Sequence, residues 1–331
     1  MSSVETTSIR VPMEIKWEPS WLSWVGATTA CLKALGVDCD KVDVAGMSGY
    51  AFVLSVHKNL CPSGPTAFEW GSLLTGIHYL GRTTLEFRSG QCHTGEFICD
   101  ETRDACKTAY EIVAREIGEG RPCVLWGAYI PEFAVATGVE DGKFIVSSYR
   151  NCSGEEQPPI PYEQLEAPGG VYVLGFPGKT SIKKLWGDQH AISNAVRLLS
   201  LPSVHPHYSS GIKAYDRWID ALKEDEAQPF GNAYNAQCYA EGRELAHQFI
   251  KRLAERNPHA AKYLNPAADS YADVSRSTKR VAEIFAFPPK DEKLPEKIIK
   301  EAIECLKDAK KAEKKALELL VDAQKIEWPK E

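Results

Sequence analysis

The chain has 331 residues, a formal net charge of −6 and 25% charged residues. That length accommodates two domains and a sizeable core, and the acidic balance argues against a general electrostatic grip on nucleic acid or an anionic membrane. No apolar run approaches the roughly 18 residues of a membrane helix, and the opening MSSVETTSIRVPMEIKW carries no signal-peptide core, so a cytoplasmic protein is expected. Ten scattered cysteines are expected as free thiols rather than as a disulfide framework.

In chain order, WLSWVGATTACLKALGVD (21–38) predicts a short buried helix through Ala30, Cys31, Leu32, Ala34 and Leu35, stopped by Gly36. LCPSGPTAFEWGSLL (60–74) is a Pro/Gly-rich loop, with Ser63 or Thr66 as possible caps, that leads into a helical pattern. DETRDACKTAYEIVAREIGEG (100–120) is an amphipathic helix with Ala105, Tyr110, Ile112, Val113 and Ile117 on its apolar face. Three strands follow. RPCVLWGAY (121–129) is a buried strand, EFAVATGV and FIVSSY form a hairpin about Glu140-Asp141-Gly142-Lys143, and GVYVLGF (170–176) is another strand. A helix followed by consecutive strands predicts an α+β domain with a mostly antiparallel sheet over 1–178.

Residues 179–288 read as a helical bundle: 188–201 stopped by Pro202, 210–225, 231–256 ended by Asn257-Pro258, and at least one more helix in 260–287. Residues 291–328 read as one long terminal helix. Its stripe of Ala302, Leu306, Ala309, Ala312, Ala316, Leu320 and Ala323 is expected to pack on its own bundle or to form a homodimer contact, and its interleaved lysines and glutamates form a solvated face.

Several stretches could carry chemistry. A thiol at the first turn of a helix is activated by the dipole and free N–H groups. Here the nearest thiol, Cys31, lies a turn deeper than the Gly26-Ala27-Thr28-Thr29 stretch, and a small buried core residue is the simpler reading. Glu132 follows Pro131 and opens an apolar strand. A carboxylate there is costly unless paired or set in a cleft, so it is an acid/base or ligand-binding candidate, with an ion pair as the structural alternative. Cys61 is a second candidate thiol. Cys92, His93, Cys99 and Cys106 lack zinc spacing, although His93 in its Gly-flanked loop remains a candidate imidazole. His205 and His207 could grip one ion, but no third ligand is evident and no metal site is expected. In GNAYNAQCYAEGRELAHQF, Tyr239 shares a helix face with Arg243, and Asn232 with Asn235; with Tyr215 and Trp218 opposite, they could contact a ligand.

The N-terminal half resembles the papain-like fold as used by double-glycine peptidases. It is more similar to the N-terminal domain of the butirosin-biosynthesis acyltransferase family, through GATTACLKALGVD, VAGMSGYAF (44–52) and GRPCVLWGAYIPEFAVATGVEDGKFIVSSY (120–149). AYDRWIDAL and NAYNAQCYAEGRELAHQF resemble the helical extension that accompanies such domains. The resemblance implies a nucleophilic thiol near Gly26 or Ala27, a histidine where Glu132 stands, and an orienting acid near Ser147 or Ser148. None of the three is present.

The resulting expectation is a papain-like α+β protein with a pocket between that domain and the bundle. Trp24, Ala27, Thr28, Tyr50, His93, Tyr215, Trp218, Tyr239 and Arg243 are the expected ligand-binding residues, and Cys31 and Glu132 the candidate catalytic ones. Amide or thioester acyl transfer or hydrolysis is one reading. A catalytically inactive small-molecule-binding protein and a helix-mediated scaffold or dimer are the others. No cofactor is expected, since neither a phosphate loop of the usual spacing nor a haem-attachment motif occurs.

Overall fold

The structure, a computed structural model, describes residues 8–89, 100–168, 170–203, 205–224, 226–290 and 294–329. The N-terminal elements are β1 (Ser8–Arg10), α1 (Ser23–Ala34), α2 (Lys41–Ser48), β2 (Ser55–His57), α3 (Gly71–Tyr79), β3 (Leu85–Arg88), α4 (Asp100–Gly118), β4 (Cys123–Trp126), β5 (Phe133–Glu140) and β6 (Lys143–Ser147). Then come α5 (Arg150–Ser153), β7 (Ile160–Pro161), β8 (Tyr172–Gly175), α6 (Lys184–Ser200), β9 (Tyr208–Ser210), α7 (Ala214–Lys223), α8 (Pro229–Arg256), α9 (Ala261–Ile284) and α10 (Glu296–Lys325). The chain is α+β. It divides into two compact units, 1–44 with 80–181 and 45–79 with 182–331. Segment 45–79, expected in the first domain, thus clusters with the C-terminal helices, and so does α10, expected as a separate element.

The first unit is built on an antiparallel sheet ordered β3-β8-β4-β5-β6-β7, with β1 also pairing β5. Its β5–β6 hairpin turns on Asp141 and Gly142, with φ of 44° and 76°. Two successive positive φ values match the right-handed strand twist, and Asp-Gly is the pair that adopts them at least cost. The central strands β4, β5 and β8 are buried almost throughout, and the reason is visible along β8. Tyr172 and Gly175 are an odd number of residues apart and point to opposite faces. Trp24 of α1 donates to the Tyr172 hydroxyl at 3.3 Å, while a Cβ on Gly175 would stand 3.4 Å from Glu116 of α4. Helices therefore cover both faces, and both sets of alternating side chains must be apolar.

In the second unit β2 pairs β9, with His57 opposite Tyr208. Helix α8 starts with Pro229 in its first turn, where no N–H partner is lost, and packs along α9, which packs in turn along α10. At about 1.5 Å per residue α10 is roughly 45 Å long. Its buried seam is Ala302, Leu306, Ala309, Glu313, Ala316, Leu320 and Ala323, in alternating steps of four and three. Glu313 takes the place expected for Ala312, which is only half-buried, because a seam of coiled-coil period passes through 313. The seam packs within the chain, mainly on α9 with α6 and α7 also against α10.

Candidate functional site

Helix α1 begins at Ser23, well before the apolar run that announces it. Its first residue meets the start of β5. The Ser23 hydroxyl donates to Glu132 Oε2 and accepts the Phe133 N–H at 3.1 Å. Glu132 is half-buried, at the end of a tight turn in which Gly127 N–H donates to the Glu132 carbonyl at 3.0 Å. Trp17 joins this corner to the end of β6: its indole N–H reaches the Ser23 carbonyl at 3.4 Å, and its backbone N–H donates to Ser147 Oγ at 2.8 Å. Asn151 Nδ2 donates to the same Ser147 hydroxyl, and Ser148 Oγ donates to Gln157 Oε1 at 2.9 Å. The start of a helix, the start of one strand and the end of the next thus converge on Ser23, Glu132 and Ser147. Exposed Trp21 lies two residues before Ser23, and Trp126 packs on Phe133 with ring centres 4.6 Å apart.

This placement corrects where a nucleophile could stand. Gly26 has no room for a side chain, since a Cβ there would lie 2.2 Å from the Glu18 carbonyl oxygen, and Ala27 is fully buried. Cys31 is fully buried two turns from the helix start, and burial, then neighbouring Cys123, pushes its thiol well above the usual range. That environment stabilises the protonated thiol, the opposite of what a nucleophile needs. Trp24 is a core side chain committed to Tyr172, and Thr28 is fully buried, its Oγ1 having no hydrogen-bond partner among the described residues. His93 lies outside the described residues. Ser23 went unrecognised in the sequence because its hydroxyl caps no helix N–H. The one available signal was a serine immediately after Trp-Leu.

The candidate residues of the second unit do gather, but on one another. Arg243, fully buried, places Nη2 3.1 Å from Glu313 Oε1, and its Nη1 donates to the Val53 carbonyl. Tyr215 and Tyr271 donate to the same carboxylate at 2.7 and 3.1 Å. Burial, reinforced by the Glu313 charge, pushes both phenols well above their ordinary range. Burial alone would lower the Arg243 pKa, but Glu313 outweighs it and the guanidinium is held firmly charged. The Tyr239 hydroxyl donates to the Ser55 carbonyl, and the Trp218 indole donates to Asn232 Oδ1 at 2.8 Å. Tyr50 donates to the Pro65 carbonyl at 2.9 Å and is almost wholly buried. Tyr215, Trp218, Tyr239 and Arg243 therefore form internal polar contacts of the bundle rather than a ligand-facing surface, and the partner of Arg243, Glu313, was not foreseen.

Among the described residues no three His, Cys, Asp or Glu side chains form a metal-binding group, and no described helix is long and apolar enough to cross a membrane. A comparison with protein-family models returns no match, and neither does one with curated proteins.

Proposed function

We propose that this is a catalytically silent, small-molecule-binding protein on a papain-like α+β frame, with Glu132, oriented by Ser23, as its ligand-recognition residue. The observation that carries this reading is the Ser23–Glu132 hydrogen bond at the junction of α1 and β5. A papain-like enzyme would use that junction for a thiol and an imidazole. A hydroxyl and a carboxylate stand there instead. The carboxylate suits a polar or amine-bearing ligand, and exposed Trp21, two residues before Ser23, is the nearest large apolar side chain in sequence that could face one.

A second reading is favoured by the same hydrogen bond: acyl transfer from Ser23 with Glu132 as general base. Oγ would attack an ester or amide carbonyl and pass its proton to the carboxylate, which would return it to the departing alcohol or amine, leaving an acyl-serine. One feature opposes it: Ser23 is buried, and its hydroxyl is already committed to Glu132 and to the Phe133 N–H. Hydrolysis of p-nitrophenyl acetate separates the two. We expect wild type and Ser23→Ala to release nitrophenol at the same background rate. A burst in wild type that vanishes in Ser23→Ala would establish acyl chemistry and overturn the silent reading.

A further inference from the structure

The β2–β9 pair sets His57 opposite Tyr208, so the neighbouring residue, His207, is drawn beside His57. The two imidazole centres stand 6.2 Å apart, and Lys58 N–H donates to the His207 carbonyl at 2.9 Å, which fixes the loop against the strand end. His57 Nδ1 is paired with Asn59 Oδ1. The Asn59 backbone N–H also points at that nitrogen, at 3.4 Å. In the tautomer in which Nδ1 donates to the amide oxygen, the lone pair lies on Nε2. Tyr208, whose ring centre is 4.9 Å from that of His57, is itself anchored by its hydroxyl to Ser63 Oγ at 2.7 Å. One imidazole is thus anchored through Asn59, and the other is exposed beside it.

We propose that His57 and His207 form a binding site for a divalent transition-metal ion of the zinc, nickel or copper class. An ion bonded at about 2.1 Å to one nitrogen of each of two imidazoles holds their ring centres about 5.3 Å apart at a tetrahedral angle. The two rings, 6.2 Å apart, would close by about 1 Å to share an ion, a movement that the exposed His207 side chain can make. Imidazole is a preferred donor for these metals, and the Asn59 contact is the outer hydrogen bond that ligating histidines characteristically make through their second nitrogen. Two protein donors leave the remaining positions to water, so the site is exchangeable, and this distinguishes it from a closed three- or four-ligand centre. The pair is invisible in sequence because His57 and His207 lie 150 positions apart and only the strand pairing joins them.

Titration of the full chain with Ni²⁺ by isothermal calorimetry tests this. Wild type is expected to take up one ion at this site. His57→Phe, which keeps a ring against Tyr208, and His207→Gly, which suits the left-handed backbone at that position (φ 68°), are each expected to weaken that binding at least tenfold. Asn59→Ala is expected to weaken it about 10–100-fold by releasing the His57 ring from its outer hydrogen bond. The His207 variant changes an exposed loop residue and keeps the test decisive should His57→Phe fold poorly. Uptake of the ion with unchanged affinity in His207→Gly, or no uptake by wild type, would overturn the proposal.

Discussion

Replacing Glu313 by alanine is expected to destabilise the second unit by about 3–5 kcal/mol, because it strands a fully buried guanidinium. The loss should exceed that from any alanine substitution in the exposed ion pairs of α10, such as Lys300–Glu296, which solvent screens. Glu313 gathers Arg243 of α8, Tyr215 of α7 and Tyr271 of α9 onto one carboxylate of α10, so three helices lose a shared partner at once. The double variant Arg243→Met/Glu313→Leu removes both charges and should recover much of the loss, since the penalty lies in the unpaired charge rather than in the absence of the pair. Urea unfolding followed by far-UV circular dichroism measures both. A Glu313→Ala midpoint near that of wild type would show that water reaches Arg243 and that the cluster is not buried in solution.

The second large effect is expected in α1. Gly26→Ala should cost about 1–3 kcal/mol or more, because the new methyl would meet the Glu18 carbonyl at 2.2 Å and Ser20 Cβ at 3.3 Å. Neither the helix nor the preceding segment can yield without moving Ser23, one turn earlier. Gly118→Ala, at the end of α4 with nothing within 4 Å of the added Cβ, is the control and should be neutral or slightly stabilising, since alanine is the better helix former by up to about 1 kcal/mol. Thermal melts of the two variants side by side decide this. Equal melting temperatures would mean that the Glu18–Gly26 approach is looser than the structure places it.

Much of the fold was legible because its signals are local. The Asp141-Gly142 turn, the glycines ending α4 and the Asn257-Pro258 stop each act through the backbone of a few residues, and the elements around them fall within a few residues of expectation. What escaped depends on distant partners. Segment 45–79 carries no mark of the unit it joins, because its contacts lie well over a hundred positions away, as in Arg243 reaching the Val53 carbonyl. Glu313 in an Ala- and Lys-rich helix reads as surface until Arg243 is known to face it. Tyr239 and Arg243 share a helix face whether that face meets a ligand or another helix, so their spacing alone could not decide between the two. The site divides along the same line. Glu132 was legible as a carboxylate at an apolar strand, where any charge needs a reason. Ser23 was not, since a serine beside two tryptophans acquires meaning only from the strand end that folds against it.

The most direct test of the Ser23–Glu132 proposal is the melting temperature of wild type and Glu132→Gln, each measured alone and with a library of small polar and amine-bearing metabolites. The account predicts that Glu132→Gln melts close to wild type, because Ser23 can still donate to the amide oxygen, and that at least one compound stabilises wild type but not the variant. A large fall in melting temperature for Glu132→Gln, with every compound acting equally on both proteins, would contradict it and make the pair a structural tie between α1 and β5.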